Sequence, residues 1–167
     1  MIRILLADDH PIISEGISNL LESEQDLLIV GACKNGLEVL SELKKQEVDL
    51  ILMDVEMPEM NGFQCAEAVL KANPEQKIAM LTMHQEKALI QKFISMGIKG
   101  YFLKTIEKDE LILGIQMIAK GGAYFPAEVT RTLVEDKPLS PKPSSDPRLA
   151  ELSSREKEIK VLIALSF

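Results

Sequence analysis

Five side chains with useful chemistry sit at the ends of apolar runs. Asp8 and Asp9 close Ile2-Arg3-Ile4-Leu5-Leu6-Ala7, and Asp54 closes Val48-Asp49-Leu50-Ile51-Leu52-Met53. Thr82 follows Lys77-Ile78-Ala79-Met80-Leu81, and Lys104 follows Gly100-Tyr101-Phe102-Leu103. Runs of this length suit strands buried on both faces, and open parallel α/β sheets bind ligands outside the carboxyl ends of their strands. Three carboxylates gathered at such an edge repel one another and raise each other's pKa. A hard divalent cation removes that conflict, and oxygen-only ligation describes a magnesium site. Beside such an ion a carboxylate can attack phosphorus and form an acyl phosphate, which makes Asp54 the candidate nucleophile. Lys104 supplies a second positive charge, and the Thr82 hydroxyl can donate to a phosphate oxygen.

Those positions require strands and helices in alternation, and the sequence reads that way five times. His10 and Pro11 suit the cap and first position of a helix carrying Ile13, Ile17, Leu20 and Leu21. Residues 27–33 read as a second strand, and Asn35 as the cap of a helix with Leu40 and Leu43 on its apolar side. Pro58 and Gly62 mark a turn after Asp54, before a helix through Phe63, Ala66, Val69 and Leu70 that ends near Asn73-Pro74. A helix over residues 85–96 presents Leu89, Ile90 and Phe93, and Gly97 stops it. The last has Glu107, Asp109 and Glu110 where acids complement the helix dipole, then Leu111, Ile115 and Ile118 before Gly121-Gly122. This (βα)5 order predicts a doubly wound, five-stranded parallel sheet, flavodoxin-like, in the order 2-1-3-4-5.

The character changes after Pro126. Residues 128–135 read as a short helix, and residues 136–148, rich in proline and serine, as a linker. Ser153 and Glu156 form a capping-box pattern ahead of an apolar stripe at Ile159, Leu162 and Ile163. The chain carries a net charge of −7, all of it within residues 1–126. Neither part offers the basic patch that neutralises nucleic-acid phosphates. No apolar run approaches the roughly 18 residues of a membrane span, and the N-terminus is too short and acidic for a signal peptide. Cys33 and Cys65 form no CxxC pair and read as reduced, buried thiols of a cytoplasmic protein.

Asp8-Asp9, Asp54, Thr82 and Tyr101-Phe102-Leu103-Lys104, each in its matching element, closely resemble the bacterial response-regulator receiver domain over residues 1–122. The resemblance implies Asp54 as phosphoacceptor, with Asp9 and Asp54 binding magnesium directly. Asp8 would join through water, and the Glu56 backbone carbonyl would be a further ligand. Thr82 and Tyr101 would be the switch pair, with Tyr101 packing inward as the phosphoryl group arrives. The phosphodonor would be a sensor histidine kinase or a phosphotransfer protein, and the readout a phosphorylation-dependent homodimer. The protein would be a signalling phosphoacceptor and not an enzyme, catalysing only its own phosphotransfer and slow dephosphorylation.

The opening Ala-Asp-Asp-His-Pro and the later Leu-Ser-Ser-Arg-Glu-Lys-Glu-Ile resemble the NarL/FixJ subfamily, whose output domain is a LuxR-type helix-turn-helix. On that resemblance residues 123–150 are a short helix and linker, and residues 151–167 the first helix of a truncated output domain. The helices that would enter DNA lie outside the 167 residues, so DNA binding and transcription regulation are expected of an intact parent protein. Thr105 stands where many receivers outside the subfamily have proline.

Blander roles compete at several positions. An Asp-Asp pair opening a helix is commonly capping alone; Asp54, Thr82 and Lys104 at the same edge make it a metal site. His10 reads as a helix-initiating residue, neither ligand nor nucleophile. His84 and Glu56, two residues after Thr82 and Asp54, either tune how water reaches the acyl phosphate or are plain solvated side chains. The rival reading is a magnesium-dependent phosphatase of the haloacid-dehalogenase type, with an aspartate nucleophile and Glu56 at the general-acid offset. A second is a stand-alone receiver acting through protein contacts.

Overall fold

A computed structural model describes residues 1–83 and 86–125, with only the backbone of Lys87. His84, the short helix and linker expected after Pro126, and the helix expected over residues 151–167 lie outside the described residues. Among the described residues five strands and five helices alternate: β1 Ile2–Ala7, α1 Pro11–Glu22, β2 Leu27–Cys33, α2 Gly36–Glu42, β3 Leu50–Asp54, α3 Gly62–Ala72, β4 Lys77–Thr82, α4 Lys87–Met96, β5 Gly100–Leu103 and α5 Lys108–Ala119. The strands pair in parallel in the order β2-β1-β3-β4-β5, as the alternation predicts.

The period of two along each strand divides the core between the two faces of the sheet. Leu5, Ile51, Met53, Ile78, Met80 and Tyr101 belong to the layer that includes Val39 of α2, Val69 of α3 and Phe93 of α4. Ile4, Leu6, Leu50, Leu52, Ala79, Leu81 and Phe102 belong to the layer that includes Ile17 and Leu21 of α1 and Leu111, Ile115 and Ile118 of α5. The central strand β3 is buried throughout, so its apolar run needs no polar alternation.

The helix ends follow local chemistry. The Asn35 side chain accepts from the Glu38 backbone N–H, and Gly97 ends α4 at φ 90°. Asn61 and Gln64 form a reciprocal capping box at the start of α3. No described peptide bond is cis, that preceding Thr105 included. The fold continues a little beyond residue 122: Tyr124 bridges to Gly100 beside β5, stacks on Phe102 and hydrogen-bonds Glu110.

Candidate functional site at the carboxyl edge of the sheet

The register sets the site. Asp54 is the last residue of β3 and Thr82 the last of β4; Asp8 follows β1 and Lys104 follows β5. Strands β1 and β3 are neighbours at the centre of the sheet, so their acidic ends meet. Asp8 and Asp54 are only 2% and 3% exposed, and Thr82 is buried. The Lys104 backbone N–H donates to the Thr82 carbonyl at 2.9 Å, which fixes where the lysine leaves the sheet.

From there its side chain crosses to the acids. Nζ donates to Asp54 Oδ2 at 2.7 Å and lies 2.8 Å from Asp8 Oδ2. Burial lowers the Lys104 pKa, but the contacts with Asp54 and Asp8 outweigh that and leave it raised. Burial raises the Asp54 pKa; Lys104 pulls it back and Asp8 pushes it up again, and the net direction is upward. One ammonium does not neutralise three carboxylates. Asp54 Oδ1 accepts a long hydrogen bond, 3.4 Å, from the Glu56 backbone N–H. The Glu56 side chain is exposed.

Two carboxylate oxygens, Asp8 Oδ2 and Asp9 Oδ1, are buried without a hydrogen bond. Asp8 Oδ2 has the ionic contact with Lys104, for which charge suffices where the hydrogen-bond angle does not. Oxygens left in this condition normally call for an unseen partner. Asp8, Asp9, His10 and Asp54 each offer a ligand atom, all within 4.8 Å of one another. A divalent cation fits that donor set and would relieve the repulsion.

Thr82 and Tyr101 lie on the same face of neighbouring strands, since Met80 pairs with Tyr101 and Thr82 lies two residues further on. Their side chains share a hydrogen bond. Tyr101 is fully buried, its ring 6.3 Å from that of Phe93. Burial raises the pKa of its phenol.

Two features of the edge were not legible in the sequence. His10 does initiate α1, as expected, yet its Nδ1 also turns onto the acids, 3.1 Å from Asp8 Oδ1 and 3.0 Å from Asp9 Oδ1. Gly62, expected only as a turn marker, brings the loop against the end of β3. A Cβ there would lie 2.0 Å from the Asp54 carbonyl oxygen. Spacing reveals neither, because both depend on where a loop folds back.

The family model described as the response regulator receiver domain matches residues 4–116. The chain is 30% identical to the transcriptional regulatory protein LnrK of Bacillus subtilis, over its whole length and 78% of that protein. It is 32% identical to the uncharacterized transcriptional regulatory protein YvfU of the same organism, covering 99% of this chain and 84% of that one. Among solved structures it is similar to the RcsB response regulator of Salmonella typhimurium (TM-score 0.77, 26% identity, 100% of this chain and 79% of that chain). A LuxR-family two-component response regulator from Aurantimonas gives a TM-score of 0.75 at 27% identity, with 80% and 95% covered. The phosphatase reading draws no support from these relatives. With the fold, the acidic edge and these matches in agreement, the chain belongs to the response-regulator receiver family, among regulators of the NarL/LuxR type.

Proposed function

We propose that Asp54 is the phosphoacceptor of a two-component phosphorelay and that a sensor histidine kinase or a phosphotransfer protein is its donor. The observation that carries this reading is a buried carboxylate 2.7 Å from a buried ammonium, beside two further acids. An Asp54 carboxylate oxygen attacks phosphorus, and the P–N bond of the donor phosphohistidine breaks. Its electron pair leaves with the imidazole, and an acyl phosphate remains on Asp54. Lys104 releases part of its hold on Asp54 and balances the charge on the transferred group. The Thr82 hydroxyl donates to a phosphoryl oxygen, exchanging its link to Tyr101 for one to the phosphate, and so joins the site to the ring against α4. Asp8, Asp9, Asp54 and the Glu56 backbone carbonyl would hold magnesium, which when bound supplies charge neutralisation at the phosphoryl oxygens.

The chain acts as a signalling phosphoacceptor and not as an enzyme with its own substrate. The new charge biases two arrangements of α4, β5 and α5, and a homodimer through that face is the readout. Residues 1–122 form the receiver, and the Leu-Ser-Ser-Arg-Glu-Lys-Glu-Ile stretch within residues 151–167 marks a LuxR-type output domain. Such a domain binds DNA and regulates transcription, as RcsB is described as a DNA-interacting regulator. Cytoplasmic location follows from this role; among the described residues no helix is long and apolar enough to cross a membrane.

Beryllium fluoride, a phosphoryl mimic, tests the reading. With magnesium it should shift the amide resonances of Thr82 and Tyr101 and raise the sedimenting mass towards that of a dimer. Neither change should occur in Asp54→Ala. An unchanged spectrum in the wild-type chain contradicts the proposal.

A further inference from the structure

We propose that residues 123–125 form a strap on the edge of β5 whose docking is coupled through Tyr101 to the state of Asp54, so that phosphorylation tightens it. The inference rests on the reading of Asp54 as phosphoacceptor and adds a route from that site to the chain that follows the receiver. The end of α5 is a reversal. Gly121 sits at φ 91°, a left-handed conformation that side chains disfavour, and the Gly121 and Gly122 N–H groups donate to the Ile118 and Met117 carbonyls at 2.9 and 3.0 Å. The returning segment meets β5, the last strand of the sheet, on its outer side. The Tyr124 N–H donates to the Lys99 carbonyl, and the Tyr101 N–H to the Tyr124 carbonyl, both at 2.9 Å. One of the two backbone hydrogen bonds of this parallel bridge thus comes from the switch residue.

Side chains on both faces seat the strap. Tyr124 stacks on Phe102 with ring centroids 5.0 Å apart, and its hydroxyl meets Glu110 of α5. Gly114 leaves the room for this, since a Cβ there would run into both rings. Phe125 takes the opposite face and packs against the layer that holds Tyr101 and Phe93. Because Gly100 pairs with Tyr124, Phe125 falls level with Tyr101 on the same side of the sheet. An outward Tyr101 ring and a docked Phe125 then compete for the same space at this edge. Ring in with strap docked, and ring out with strap released, are the two arrangements. Thr82 lies on β4, the inner neighbour of β5, so a phosphoryl group that draws Thr82 towards Asp54 makes room on the inner side of the ring and favours the first. Two hydrogen bonds at a sheet edge and an exposed Ala123 place the strap among the less stable parts of the fold, where a bias of this kind can show. Docking fixes where the chain leaves the sheet.

Amide exchange on the whole chain, with and without beryllium fluoride and magnesium, tests the coupling. The Tyr124 amide is the telling probe, since its acceptor is Lys99 and not a switch residue. Its exchange should slow about fivefold or more when the mimic binds, the low end of typical coupling between sites. Coupling is reciprocal, so Phe125→Ala should bind beryllium fluoride about fivefold more weakly. Phe125→Leu keeps an apolar side chain against the Tyr101 layer and should recover most of that affinity; equal loss in both variants would mark general destabilisation and overturn the role of the strap. Wild-type Thr82 amide shifts with an unchanged Tyr124 exchange rate, or full affinity in Phe125→Ala, also overturn it and leave Asp54 standing as phosphoacceptor. Absence of any Thr82 shift in the wild type overturns both.

Discussion

The two ends of β3 carry the same side chain in opposite conditions. Asp49, just ahead of the strand, meets Arg3 across the sheet: Arg3 backbone N–H and Nε donate to Oδ2 at 2.8 and 2.9 Å, and a second guanidinium nitrogen to Oδ1 at 2.9 Å. Both oxygens are used, and the hydrogen bonds to Arg3 hold the carboxyl down at about 2. Asp54, at the other end, is more deeply buried, shares one ammonium with Asp8, and has its pKa raised. The first acid is finished within the fold. The second is left with affinity for something outside it, and that difference separates a structural carboxylate from a reactive one.

Lys104→Met should have the largest effect. It removes the only lysine or arginine paired with the acids among the described residues, and should slow phosphorylation of Asp54 from acetyl phosphate about 10²–10³-fold, as loss of one preorganised donor typically does. A rate within twofold of wild type would mean that the two ends of β3 do not differ as argued. Gly62→Ala should come next. Its Cβ would meet the Asp54 carbonyl, so the loop must move and stability should fall by about 2 kcal/mol or more, as measured by urea unfolding. Amide shifts should then change around Asp54 and Thr82 and stay still around Arg3 and Asp49.

Two isosteric changes set the ends of the strand directly against each other. The folded pKa of Asp54 lies above its unfolded value, so its ionised form opposes folding and stability is lost as pH rises from about 3.8 through the raised value. Metal-free Asp54→Asn should therefore unfold at a higher temperature than wild type at pH 7, with the gap closing as pH falls to 4. Asp49 has the opposite sign: its contribution is present above about 3.8 and is lost as pH falls towards 2. Asp49→Asn should destabilise at pH 7 by only about 1 kcal/mol, since this partly exposed pair is screened by water. Shifts of the same sign at pH 7 would break the comparison.

Much of this contrast could be read from the chain. Apolar runs ending in Asp8-Asp9, Asp54, Thr82 and Lys104 gave both the strands and their chemical edge, because parallel strands align their carboxyl ends. Asn35 and Gly97 were legible for a similar reason: caps depend on residues within a turn of one another. The start of α4 at Lys87, two residues later than expected, is the usual uncertainty of a helix end. The pairing of Arg3 with Asp49 was not legible, since its partners lie 46 residues apart and meet only through the register of β1 on β3. The register shift between Ile4 and Leu5 against β2, and the return of Tyr124 to Gly100, also depend on tertiary contact. His10 was half legible. Its place before Pro11 gave its helical role, and nothing local said where its ring would turn.

The most direct test of the central claim is the intact mass of the chain after incubation with acetyl phosphate and magnesium, for wild type and Asp54→Ala. A metal-dependent gain of one phosphoryl group in the wild type, absent from the variant, is the predicted result. Steady, Asp54-dependent release of phosphate without a mass gain would still mark Asp54 as the nucleophile, with a short-lived product. Neither gain nor release in the wild type would contradict the account.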